Sequence, residues 1–350
     1  MRALTVVPQQ SGSGSLREIA EPDVREGAVL VRTLAVGVCG TDREILAGHY
    51  GWPAPGRAQL ILGHESLGAV EEAPQDCGLN RGDLVVGIVR HPDPEPCSAC
   101  RTGEWDMCRN GRYTEHGIKE LDGFCAERFR IDARFVVPID GQLRDTGVLL
   151  EPASVVAKAW DHIERIGQRT RSWRPRKVLV TGAGSIGLLA ALMARQRGCE
   201  LHVYDRDRGA GKCDLVARIA GQYHCDSIEA ACALAADVTL ECTGASEVIA
   251  KVIGRNAPGG IVCLAGLSSG AHHVSYDFTG LNRTMVLEND VVFGTVNANR
   301  RHYELAAAAL AQADAGWLRS LISRRVALAD WRQAIERRAG DIKVVIDFTL

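Results

Sequence analysis

Apolar and polar positions along this chain change rhythm near its middle. In the first half no 3.6-residue period dominates, and short apolar runs are broken by glycine and proline. Residues 28–34, Ala-Val-Leu-Val-Arg-Thr-Leu after Gly27, are such a run and predict a strand within a β-rich N-terminal segment. Residues 42–47 predict one or two helical turns, 50–56 a Pro/Gly loop, and 82–89 a turn feeding a strand. Glu151-Pro152 reads as a turn closing this half. Beyond it, apolar strands at 177–181, 200–205, 237–244, 260–266 and 291–296 are interleaved with helical stretches at 186–197 and 245–255. Strands alternating with helices predict a doubly wound parallel sheet. Residues 300–313 and 328–338 predict further helices, and 342–348 a last strand placed to return to the first domain.

A length of 350 residues suggests two domains, each large enough for its own core. Apolar residues at 46% and charged residues at 24% are ordinary for a water-soluble fold. The net charge of −2 offers no basic field for nucleic acid or an anionic membrane. No run of about 18 apolar residues predicts a membrane helix, and the N-terminus lacks the apolar core of a secretion signal. Twelve cysteines without such a signal argue for reduced thiols and metal ligation in the cytoplasm.

Two cysteine groupings carry candidate chemistry. Val36-Gly37-Val38-Cys39-Gly40-Thr41-Asp42 and Gly63-His64-Glu65 bring a thiolate, an imidazole and a carboxylate, three ligand types that zinc accepts. Catalytic zinc keeps one position open, so four cysteines are not required. Asp42 is a candidate partner for the outer nitrogen of His64, and Thr41 adds a hydroxyl. The competing reading is a buried thiol with an unrelated His-Glu pair. Cys97-Ser98-Ala99-Cys100 with Cys108 forms the second grouping: a structural zinc knuckle, a redox dithiol or loose loop thiols. Asp93, Glu95, Glu115 and His116 are candidates for its missing ligand. The remaining cysteines of the second half, without ligand spacing, read as small buried apolar residues.

The strand at 177–181 runs directly into Gly182-Ala183-Gly184-Ser185-Ile186-Gly187 and then a helix. In that context G-x-G-x-x-G is a dinucleotide turn: the glycines let backbone approach the pyrophosphate at a helix N-terminus. Asp205 stands at the end of the next strand, where an acid binds the adenine ribose hydroxyls of NAD. Arg206 and Arg208 follow and would hold the 2′-phosphate of NADP. NAD with NADP tolerated is the expectation.

With these motifs in place, the chain resembles the zinc-dependent medium-chain dehydrogenase/reductase superfamily over essentially its whole length, and within it the glucose (aldose) 1-dehydrogenase group. The resemblance implies an α/β fold in which a mainly-β GroES-like catalytic domain, 1–153 with 298–350, joins a doubly wound Rossmann domain, 154–297. It implies that Cys39 and His64 are catalytic zinc ligands, that Glu65 joins or leaves the metal, and that Glu151 is a further carboxylate beside it. Thr41 matches the hydroxyl of the proton path. Residues 106–111, 117–124 and 293–299 look like the sugar-oxidising group; by that likeness Glu115, Glu151 and Asn297 contact substrate, and Thr295, Val296 and Asn297 lie by the nicotinamide. Three departures stand out: Pro94 replaces the first of four lobe cysteines, Glu44 stands where many alcohol dehydrogenases carry a relay histidine, and Ser185 replaces the usual Pro or Gly. Val155 stands where some relatives carry a carboxylate.

The implied activity is hydride transfer from C1 of an aldose to NAD(P), giving a lactone. A secondary-alcohol, polyol or sugar-derivative dehydrogenase is the alternative, and a non-catalytic nucleotide-binding redox sensor a remote one. The family also implies a homo-oligomer, dimer or tetramer, with residues 291–296 as a candidate edge strand.

Overall fold

The computed structural model describes residues 1–268 and 272–350. The chain divides into two compact units, Met1–Ser154 with Asn297–Leu350, and Val155–Val296.

The first unit is built on a mixed sheet whose order is Val136–Pro138, Leu84–Gly87, Glu65–Glu72, Val29–Val38, Lys343–Asp347 and Ile322–Ala327, with Arg128–Ile131 also pairing with Val29–Val38. The long strand Val29–Val38 is its spine, and every side chain from Thr33 to Val38 is buried. Val31, Val36, Leu67, Val70, Val86 and Ile131 fill the core at no more than 1% exposure. The C-terminal strand Lys343–Asp347 does return here, antiparallel to Val29–Val38 with Val344 opposite Val38. All five of its side chains are buried, and it has a strand on each edge. A small sheet of Arg90–His91, Thr114–His116 and Glu120–Leu121 completes the part that matters for the site.

The second unit is a six-stranded sheet ordered Gln222–His224, Glu200–Tyr204, Lys177–Thr181, Val238–Glu241, Ile261–Leu264 and Val291–Gly294. Every pairing in it is parallel. Strand order reverses between Lys177–Thr181 and Val238–Glu241, the switch point at which open α/β sheets bind ligands. No helix among the described residues is long and apolar enough to cross a membrane.

The helical expectations need three corrections. Glu151-Pro152 is no turn: it lies in the first turn of the helix Leu150–Gly167, where proline is tolerated because the N–H it lacks has no partner there anyway. The stretch at 245–255 shortens to Ser246–Val252, ahead of Gly254 at φ +72°. The stretch at 328–338 shortens to a 3-10 turn, Leu328–Asp330, and the helix Trp331–Ile335.

Candidate active site

Cys39 follows the spine strand directly and caps the helix Gly40–Leu46. Its thiol accepts the Thr41 amide at 3.2 Å, and its own amide donates to the Asp42 carboxylate at 2.8 Å. This reciprocal cap fixes the sulfur without packing it away. His64 immediately precedes the strand Glu65–Glu72, which pairs with the spine so that Glu65 faces Gly37. The pairing sets His64 Nε2 3.0 Å from Cys39 Sγ. Asp42 Oδ1 stands 3.3 Å from the other ring nitrogen, Nδ1.

Glu65 completes the group: one donor atom each from Cys39, His64 and Glu65 lies within 4.8 Å of the others. A Cβ on Gly37 would fall 2.0 Å from Glu65 Oε2, so only glycine leaves room for that carboxylate. Glu65 is also gripped from the last strand by Lys343 Nζ, 2.6 Å from both its oxygens. Thiol, imidazole and carboxylate are donors zinc takes, and a carboxylate behind the histidine is the usual support of a metal-bound imidazole. The set fits a catalytic zinc ion. Glu151 is buried nearby but stands outside this tight group. Burial pushes its carboxyl up to about 7, with His64 opposing and Glu65 reinforcing the shift.

Glu115 and Asn297 come together in the same unit. Glu115 Oε1 accepts from Asn297 Nδ2 at 2.6 Å and from Arg90 Nε and Nη2 at 3.0 and 2.9 Å. Asn297 sits at φ +61°, a left-handed conformation that asparagine tolerates. Thr41 is half-buried beside Cys39.

In the second unit residues 182–187 form a tight turn from strand to helix. Gly184 caps the helix Ser185–Gln196, which takes in Ser185, Ile186 and Gly187. Gly182 takes φ +92°, and a Cβ on Gly187 would lie 1.7 Å from the Gly182 carbonyl oxygen. Asp205 Oδ2 accepts the Ala183 amide at 2.6 Å, tying the acid to the turn, and Lys212 Nζ stands 3.4 Å from the same oxygen. Arg206 is exposed. Thr295 donates its amide to the Leu264 carbonyl at 3.0 Å, and the exposed Val296 accepts Lys158 Nζ at 3.0 Å.

The lobe brings Cys97, Cys100 and Cys108 within 4.8 Å of one another. None of the proposed fourth ligands joins them at that distance. Glu115 is committed to Arg90 and Asn297, and His116 Nδ1 to the Asp122 carbonyl at 2.6 Å. The Arg109 amide draws the Cys97 thiol down from its ordinary range, and burial pushes Cys100 up.

Lys343, Arg90 and Lys212 are absent from the sequence-derived site. Each reaches its partner through strand pairing or a helix turn that spacing does not reveal. For Lys343 one signal was present: a lysine opening an apolar run at the end of the chain, in a strand buried on both faces.

Two family models match the chain: "Alcohol dehydrogenase GroES-like domain" over residues 25–141 and "Glucose dehydrogenase C-terminus" over residues 144–348. A glucose 1-dehydrogenase of Methanocella arvoryzae is 39% identical across 99% of both chains. One from Thermoproteus tenax is 38% identical, again across 99% of both. A solved structure of Haloferax mediterranei glucose dehydrogenase in complex with NADP, Zn and gluconolactone superposes with a TM-score of 0.91, 30% identity and complete coverage of both chains.

Proposed function

This chain belongs to the zinc-dependent medium-chain dehydrogenases, in their glucose dehydrogenase family, and from that premise we propose that it oxidises an aldose such as D-glucose at C1 to the lactone with NAD(P) as acceptor. The observation that carries this reading is the convergence of Cys39, His64 and Glu65 on one point at the end of the spine strand.

Cys39 and His64, with Glu65 and Glu151 as carboxylates in reserve, would hold a zinc ion, which would supply Lewis acidity toward the C1 hydroxyl. Asp42 orients the His64 ring. Glu115 and Asn297 form a preset polar pair for sugar hydroxyls, held rigid by Arg90, so that orientation is settled before substrate arrives. Thr41 carries the hydroxyl proton away toward solvent. A nicotinamide held by the second unit would supply the hydride acceptor for C1, which becomes a carbonyl as its hydroxyl proton is removed. Gly182, Gly184 and Gly187 let the backbone meet the pyrophosphate; Asp205 accepts from the adenine ribose. Thr295 and Val296 flank the nicotinamide in this reading.

The same reading takes the enzyme as cytoplasmic, in keeping with twelve free cysteines, and as a homo-oligomer. The helix Phe278–Glu288 supports the latter, since none of its residues is buried and Phe278, Val286 and Leu287 are 73%, 67% and 67% exposed. It leads into the edge strand Val291–Gly294.

The test is a steady-state panel of D-glucose, D-galactose and D-xylose with NAD and with NADP. Absence of NAD(P)H formation with every aldose, alongside turnover of sorbitol, would move the substrate to the polyols. A Cys39→Ala protein that kept its zinc and its rate would remove the proposed metal site.

A further inference from the structure

A closed structural zinc site takes four donors, and the lobe gathers three thiols, Cys97, Cys100 and Cys108, with no fourth His, Cys, Asp or Glu donor among the described residues within 4.8 Å of them all. The two carboxylates just before Cys97 are otherwise engaged. Asp93, 1% exposed, accepts the Glu95 amide at 2.8 Å through Oδ1 and the Asn110 side-chain amide at 2.8 Å through Oδ2. Arg112 Nε stands 3.4 Å from Asp93 Oδ2, and Arg112 Nη2 donates to Glu95 at 2.7 Å. Asn110 also donates to the Glu95 carbonyl at 3.2 Å. The chain entering the lobe at 93–95 is therefore bound directly to the chain leaving it at 110–112. Closing the loop at its neck is a role a structural metal can fill, and here hydrogen bonds and an ion pair gathered on the buried Asp93 fill it.

We propose that the lobe is metal-free, closed by the Asp93–Asn110–Arg112 clasp, and that Cys97 and Cys100 remain as a dithiol able to close to a disulfide. Their sulfurs are 3.7 Å apart. Cys97 is partly exposed and Cys100 is buried behind it, so an external reagent meets Cys97 first. With a small organic disulfide as oxidant, the Cys97 thiolate attacks one reagent sulfur and expels one small thiolate. Cys100 then gives up its proton to solvent and attacks Cys97 Sγ, expelling the second. Two protein thiols are oxidised, one reagent disulfide is reduced to two thiols, and the Cys97–Cys100 bond forms.

Metal analysis, thiol counting and limited proteolysis of the purified full-length enzyme test this, and none of them depends on which substrate it turns over. One zinc per chain is expected, lost in Cys39→Ala and retained in a Cys97→Ser/Cys100→Ser protein. Exposure to 2-hydroxyethyl disulfide should consume two more thiols in the parent than in the Cys97→Ser/Cys100→Ser protein, link the Cys97 and Cys100 peptides, and release no zinc. Asp93→Asn, or Arg112→Met where that protein folds poorly, should speed tryptic cleavage at Arg101 and Arg109 several-fold, whereas the double cysteine variant should not. A second zinc that leaves with the cysteines, or thiols that stay unreactive until a chelator strips it, would overturn the proposal. Zero zinc in total with no aldose turnover would instead count against the active-site reading.

Discussion

Lys343 Nζ lies 2.6 Å from both carboxylate oxygens of Glu65, and neither side chain is more than 2% exposed. The pair joins the last strand of the chain to the residue next to His64. Breaking one half of a buried pair strands an uncompensated charge, at a cost of roughly 3–5 kcal/mol. Lys343→Met should therefore lower stability by about that amount, read from the midpoint of urea unfolding. Replacing both partners, Lys343→Met with Glu65→Leu, should recover much of the stability while leaving the enzyme impaired. A single variant that unfolds within about 1 kcal/mol of the parent would mean that Glu65 is not held as a buried ion.

Gly187 faces the Gly182 carbonyl so closely that an added Cβ would sit 1.7 Å from it. Gly187→Ala must push the turn away from the helix start, which is the proposed site of the pyrophosphate. The expected result is a rise of at least about tenfold in the dissociation constant for NAD(P), roughly 1.4 kcal/mol, by fluorescence titration. Zinc content should stay at the parent level, because the metal residues belong to the other unit.

Asp205 carries two duties: its Oδ2 accepts the Ala183 amide, and its charge disfavours a 2′-phosphate. Asp205→Asn keeps an oxygen for the Ala183 amide, gives up the Asp207 amide that Oδ1 accepts at 2.8 Å, and removes the charge, leaving Lys212, now 3.4 Å away, to attract an anion. The ratio of kcat/KM for NADP over NAD should rise about tenfold, and Lys212→Ala should lower it. An unchanged ratio in both variants would place cofactor choice on other residues, with the exposed Arg206 and Arg208 next in line.

These relationships differ in how far the linear chain displays them. The dinucleotide turn is local: strand, glycines and helix follow one another within about a dozen residues, so period and spacing suffice. Cys39 and His64 are 25 residues apart and were readable only because their residue types are rare in combination. Glu65 and Lys343 are 278 apart, and their meeting depends on the last strand choosing Val29–Val38 as its neighbour. Glu151 was misplaced in a turn because Glu-Pro is ambiguous between a turn and a helix start. The lobe cysteines were legible as a group, but the clasp of Asp93, Asn110 and Arg112 was not, since hydrogen-bond partners of that kind carry no spacing rule.

His116 offers a test of the first unit that is independent of catalysis. Its Nδ1–H donates to the Asp122 carbonyl at 2.6 Å, while its buried Nε2 has no hydrogen-bond partner. Burial holds the imidazole down at about 4, against an ordinary value of 6.5, so it is neutral in the fold. The neighbouring His91, stacked on Phe135, is held down to about 2 by burial and by His116. Between these values and 6.5 the unfolded chain binds protons that the folded chain refuses. Stability from His116 is thus complete above about pH 6.5, falls as the pH drops toward 4, and changes no further below that. One such proton contributes a slope of about 1.4 kcal/mol per pH unit, or roughly 3 kcal/mol over the window. Urea unfolding at steps from pH 7 to pH 4 should show His116→Gln losing stability with a slope shallower than the parent by about one proton, whatever its stability at pH 7. Parallel curves for the two proteins would mean that His116 is already charged in the fold, and that the unpartnered Nε2 is not the neutral acceptor its surroundings require.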